Sequence, residues 1–149
     1  MMSSNMLVLD ANILIRAVLG NRVKKILLDS HHIVDFFIPD VCIADAKKYL
    51  PILFKKRSAS PELGLQILSD LQCLLQVIDK SIYQEHIIEA QQRIRNRDLD
   101  DWPIVATALT FNCSIWTEDQ DFFGTGIPIW TTDRIHIFLS HCSSALEKI

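Results

Sequence analysis

Short unbroken apolar runs alternate along this chain with stretches in which apolar residues recur every three or four positions. Met6-Leu7-Val8-Leu9 is continuously apolar and ends on Asp10, the pattern of a strand buried on both faces of a parallel sheet. After it, Ile13, Leu14, Ala17 and Val18 mark one side of a helix from Ala11 to Leu19 that Gly20 closes. Segment 33–38 is β-branched and aromatic and reads as a second strand or a short connector. Pro39-Asp40 starts a helix that passes through Val41, Ala44, Asp45 and Lys48, and Pro51 is expected to kink or end it. Ser60-Pro61-Glu62 opens a helix running to about Leu71, and 74–78 reads as a strand. Ser81-Ile82-Tyr83-Gln84 fits a capping box that opens a long amphipathic helix to about Arg95. Asp100-Asp101-Trp102-Pro103 opens another, with Ile104, Val105, Ala108 and Leu109 as its buried side. Ser114-Ile115-Trp116-Thr117 is a short strand ending in an acidic turn, 127–130 is a last strand, and a helix follows from about Asp133. Strands alternating with helices predict right-handed crossovers and a mostly parallel sheet covered on both faces.

Composition narrows the class. At 149 residues and 49% hydrophobic, the chain is expected to form one globular domain over 1–149 with a real core. Four glycines and five prolines leave little room for linkers. No apolar run approaches the roughly 20 residues of a membrane span. Met1-Met2-Ser3-Ser4-Asn5 lacks the basic start of a signal peptide, so the expected location is the cytoplasm with no membrane contact. Cys42, Cys73, Cys113 and Cys142 form no C-x-x-C pair and read as reduced core or near-core thiols. A net charge of −3 excludes a generic polycationic nucleic-acid binder. It leaves a nuclease open, because local basic residues can hold a strand around an acidic centre; Arg16, Arg95 and Arg97 are candidates for that rim.

The candidate chemistry lies in four aspartates, each where an apolar segment opens or closes. Asp10 ends the first strand, and functional groups gather at the carboxyl ends of strands in open parallel sheets; it also reads as a helix N-cap. Asp45 has Val41 one turn before it and Tyr49 one turn after, so it sits on a partly apolar helix face, although Lys48 offers it an ion pair. Asp101 shares a helix face with Ile104, Val105 and Ala108, while Asp98 and Asp100 read as solvated or capping. Asp119 and Asp121 follow a strand end at alternate positions, with Phe122 and Phe123 anchoring the turn. Four converging carboxylates repel one another, more so beside a low-dielectric core, and persist only if protons or a cation neutralise them. An all-oxygen ligand set suits Mg²⁺ or Mn²⁺, and metal-assisted attack on a phosphodiester is the chemistry that most often follows.

The order and setting of these acids resemble the PIN-domain ribonuclease family, which includes the VapC-like toxins. Leu7-Val8-Leu9-Asp10-Ala11-Asn12-Ile13-Leu14 resembles the family's opening strand and first metal-binding aspartate. In 39–50, Asp45 stands where the family usually has a glutamate. In Asp101-Trp102-Pro103-Ile104-Val105-Ala106-Thr107-Ala108-Leu109, Asp101 falls on the third acid. In Trp116-Thr117-Glu118-Asp119-Gln120-Asp121-Phe122, Asp119 falls on the fourth acid and Asp121 on the auxiliary one. The resemblance covers nearly the whole chain. It implies a three-layer α/β/α sandwich around a mostly parallel sheet of about five strands, and Mg²⁺- or Mn²⁺-dependent cleavage of RNA. It also implies an antitoxin partner and a homodimer.

On this reading Asp10, Asp101 and Asp119 hold a metal, with Asp45 joining directly or through water because aspartate is one methylene shorter than glutamate. Asp121 orders a second site, and Asn12 and Thr117 touch the ligands or a phosphate. Two other classes stay open: a phosphotransfer domain with an aspartate nucleophile or phosphoacceptor, and a non-catalytic binding module on the same fold. The bulky segment Tyr49-Leu50-Pro51-Ile52-Leu53-Phe54 is apolar all round. Its surplus is expected to form a dimer or antitoxin groove, unless the helix from Ser81 covers it.

Overall fold

The computed structural model describes residues 5–147; the Met1 to Ser4 segment read above lies outside them. Five strands form one parallel sheet: β1 (Met6–Leu9), β2 (Asp35–Pro39), β3 (Gln76–Ile78), β4 (Ser114–Trp116) and β5 (Ile129–Trp130), in the order β3-β2-β1-β4-β5. The helices are α1 (Ala11–Leu19), α2 (Arg22–Ser30), α3 (Asp40–Lys56), α4 (Pro61–Gln72), α5 (Lys80–Tyr83), α6 (Ile87–Ile94), α7 (Trp102–Phe111) and α8 (Ile135–Glu147). The chain steps outward from β1 to β2 to β3, then returns across the sheet to β4. Right-handed crossovers therefore put α1 to α4 on one face and α5 to α7 on the other, and α3 packs on α1 and α4 while α7 packs on α6, β1 and β2. This is the expected three-layer α/β/α sandwich. No helix among the described residues is long and apolar enough to cross a membrane.

The central strand explains the layout. Leu7, Val8 and Leu9 are fully buried, as a strand covered on both faces requires. Phe36 of β2 and Trp116 of β4 lie across β1 from each other with ring centroids 6.2 Å apart, and Phe37 stacks on Phe111 of α7 at 4.2 Å. α7 ends at Asn112, which takes the left-handed conformation (φ 51) that stops a helix.

Four local expectations change. The sequence pattern predicts no element over 21–32, yet α2 forms there with Val23, Leu27 and Ser30 turned inward. Pro51 does not end α3, which continues to Lys56, because the turns on both sides of it are pinned by buried Leu50 and Phe54. The long helix expected from Ser81 is three pieces: α5, a 3-10 turn over Gln84–His86, and α6. Asp79 caps its start, accepting from the Ser81 N–H at 3.0 Å, and the Tyr83 hydroxyl is tied to Asp40 at 2.7 Å, which holds that first turn apart from the rest. Finally, Phe54 is core and α4 covers it, not the segment after Ser81. A Cβ on Gly64 of α4 would lie 2.8 Å from the Phe54 ring, so only glycine permits this contact. Tyr49 and Ile52 remain exposed on the outer side of α3.

Candidate metal centre

Strand register brings the first two site residues together. Leu9 of β1 pairs with Trp116 of β4, so the residues that follow, Asp10 and Thr117, leave the sheet side by side. They do so where the strand order reverses, the crevice in which open α/β sheets bind ligands. The Asp10 side chain caps α1 by accepting from the Ile13 N–H at 2.9 Å, and its other oxygen accepts from the Thr117 hydroxyl. Thr117 in turn accepts from the Asp119 N–H at 2.9 Å, and Asp119 accepts from the Asp121 N–H at 2.9 Å. One buried hydroxyl thus couples the end of β1 to the acidic loop after β4. Burial pushes the Asp10 carboxyl up to about 6; the bonds from Thr117 and Ile13 oppose that rise, and Asp119 and Glu118 add to it.

Asp101 behaves differently from Asp10 although both precede a helix. Its side chain makes no cap bond to α7. It points instead toward Asp119 and Asp121, and the three residues offer oxygens within 4.8 Å of one another. Oδ2 of Asp101 is buried and has no hydrogen-bond partner. Burial first, then repulsion from Asp98, Asp119, Asp10 and Asp121, pushes this carboxyl up to about 7. A buried oxygen without a hydrogen-bond partner amid like charges is a setting that a cation would stabilise, and the donors are carboxylates alone. The residues present fit a hard divalent ion.

Asp10, Asn12, Asp45, Asp101 and Asp119 line one cavity of 330 Å³, with Ile15 and Ile104 among its apolar walls. Asp45 and Asn12 are exposed at its edge, and Asp121 stands with Asp101 and Asp119 but outside the lining. Arg16, Arg95 and Arg97 are exposed and do not line it. Four further residues bear on the site, and the sequence pattern assigns none of them a role in it. Cys42 lies on α3 one turn before Asp45 and lines the cavity; burial and then the charges of Asp10 and Asp45 hold its thiol well above its ordinary range. Asp98 and Asp100, read as capping or solvated, are exposed and do include a cap (Asp98 accepts from the Asp100 N–H at 3.0 Å), yet both also line the cavity. Arg93 of α6 donates to the Thr125 carbonyl at 2.9 Å and pairs with Glu89, which fastens the acidic loop to the α7 side of the sheet.

The fold and the acid cluster together define an α/β/α protein with a carboxylate centre at its topological switch point. The sequence profile of the PIN domain matches residues 8–140, and the chain belongs to the PIN-domain family. No curated protein matches it in sequence. Among solved structures, it is similar to VapBC2 from Rickettsia felis bound to a DNA fragment from the promoter (15% identity, TM-score 0.66, 85% of this chain and 98% of that one). It is also similar to PAE2754 from Pyrobaculum aerophilum (15% identity, TM-score 0.67, 93% and 92%) and to FitAcB from Neisseria gonorrhoeae (21% identity, TM-score 0.63, 85% and 98%). At these identities the likeness is one of fold.

Proposed function

We propose that this chain is a metal-dependent endoribonuclease in which Asp10, Asp101 and Asp119 hold Mg²⁺ or Mn²⁺. Asp45 joins them directly or through water, and Asp121 serves a second ion. The observation that carries this reading is the partnerless buried oxygen of Asp101 facing Asp119 and Asp121. A bound ion supplies a water of lowered pKa and a Lewis acid for the phosphate. The chain's own residues supply the rest. Thr117 fixes the rotamer of Asp10 and, through Asp119, the loop geometry. Asn12, at the mouth, would donate to a phosphate oxygen. Ile15, Pro103 and Ile104 keep one side of the cavity dry, which strengthens every charge interaction inside it. In the reaction, the oxygen of water joins phosphorus as the bond from phosphorus to the 3′ oxygen breaks, and the proton that water gives up ends on that 3′ oxygen.

The preference for RNA comes from the family resemblance, as do the toxin role, the antitoxin partner and a homodimer. The shared fold with VapBC2 and FitAcB supports the toxin–antitoxin role and the antitoxin partner. On the same reading residues 1–149 act as one domain in the cytoplasm. Purified protein should cut a labelled single-stranded RNA in Mg²⁺ or Mn²⁺, stop in EDTA, resume when metal is restored, and leave DNA of the same sequence intact. Cleavage that persists in EDTA would contradict the role of the metal, and no cleavage with either ion would leave a non-catalytic binding module.

A further inference from the structure

The acidic cavity continues sideways into a second hollow of 580 Å³. The two share a wall that includes Asp45, Tyr49, Asp98, Asp100 and Asp101, and the second adds Lys80, Tyr83 and Trp102. Its character differs from that of the first. Tyr83 and Trp102 meet edge to face with centroids 5.6 Å apart. The Tyr83 hydroxyl is anchored on Asp40, which also accepts from the Lys80 N–H at 3.1 Å, so this aromatic corner is rigid. Opposite stands Tyr49, 46% exposed, one helical turn beyond Asp45. Lys48 Nζ lies 5.4 Å from its ring centroid. A large flat side chain left half in water beside a carboxylate centre has no role in the core.

The charge pattern selects the occupant. Asp98 and Asp100 face both hollows, so a phosphate would be repelled from the second one. A nucleobase is neutral, stacks on aromatic rings, and brings N–H donors that carboxylates accept. Lys80 lines this hollow and Lys48 stands over the Tyr49 ring, and the backbone of the same nucleotide would pass beside them. We infer, on the basis of the nuclease reading above, that this hollow is a base subsite. It takes one unpaired nucleobase of the strand being cut, stacked on Tyr49 and bearing an exocyclic amino group that Asp98 or Asp100 accepts. Adenine, cytosine and guanine meet that requirement and uracil does not.

Short oligoadenylate, oligocytidylate and oligouridylate are the probes, with binding followed by fluorescence anisotropy in Ca²⁺ and cleavage followed in Mn²⁺. The wild-type protein should hold the adenylate and cytidylate more tightly than the uridylate. Tyr49→Ala should weaken binding of the first two by about tenfold, the usual size of one lost stacking partner, and raise KM more than it lowers kcat. Tyr49→Phe, which keeps the ring, should restore both; Tyr49 is exposed, so both variants should melt as the wild type does. Equal binding of the three oligomers by the wild type, or unchanged binding in Tyr49→Ala, would overturn the subsite. A Tyr49→Ala variant that binds RNA normally but self-associates less would assign the ring to a protein interface instead. Metal-dependent cleavage that survives in Tyr49→Ala with unchanged KM would sink the subsite and leave the nuclease standing. Tyr49-dependent binding without cleavage would do the reverse.

Discussion

Raising the pH of the metal-free protein should destabilise it. Asp10 and Asp101 stand at about 6 and about 7 in the folded chain, against an ordinary value of 3.8. When the folded pKa lies above the unfolded one, the folded state binds more protons between the two, so stability falls as pH climbs through that window. The contribution is fully present below about pH 4 and is lost as pH rises through about 6 and about 7. Above about pH 5 there remains about one pH unit of the Asp10 titration and about two of the Asp101 titration. At about 1.36 kcal/mol each, these come to about 1.4 and about 2.7 kcal/mol. Asp101 is only partly buried, and solvent screening cuts its share to roughly half. The sum is on the order of 3 kcal/mol, a large part of the roughly 5–15 kcal/mol that holds a typical domain together. Glu62 and Asp79, which Ser60 and Ser81 hold below the ordinary range, change only at the acid end and leave this window untouched. Urea unfolding in EDTA at about pH 5 and about pH 8 measures the difference. Asp101→Asn should lose about half of it, and saturating Mn²⁺ should reverse the trend, because the ion binds the deprotonated acids. Stability that is flat or rising across the window in EDTA would refute the reasoning, as would an identical slope in Asp101→Asn.

Three further outcomes follow from particular contacts. Thr117→Val keeps the shape but strips Asp10 of a donor and the Asp119 N–H of its acceptor, both buried or nearly so. It should cost about 2–4 kcal/mol in urea and move Mn²⁺ binding to higher pH, as titration would show. Phe54→Ala opens a void beneath α4 and should cost about 3–5 kcal/mol by the same denaturation assay; sedimentation should find its oligomeric state unchanged. Asp45→Glu lengthens an exposed side chain that already faces the cavity, so the apparent Mg²⁺ affinity should rise, and an unaltered calorimetric titration would place Asp45 away from the ion.

What was legible in the sequence was what local pattern dictates. The apolar run of β1 ending on Asp10 reads as a buried strand of a parallel sheet, whereas its pairing with β4, which sets Thr117 beside Asp10, comes only from the fold. The acid before the apolar α7 announced Asp101. What escaped depended on tertiary contact. α2 has just nine residues with two lysines, and its inward positions Val23, Leu27 and Ser30 make a weak stripe. Pro51 is a helix breaker in isolation, but burial on either side of it outweighs one lost hydrogen bond. The aromatic hollow joins α3, α5 and the start of α7, three segments whose proximity no periodicity reports. Cys42 offered one signal, its place a turn before Asp45 on the same helix.

The proposed function is cleavage of RNA with a divalent ion held by the carboxylates gathered at the ends of β1 and β4. Its most direct test sets wild type against Asp101→Asn on one labelled single-stranded RNA in Mn²⁺, with both proteins shown to be folded. Asparagine keeps the shape of the side chain and removes the charge that no other group at the site satisfies. Cleavage by the wild type and none above background by the variant is the expected result. Equal cleavage by the two proteins would contradict it.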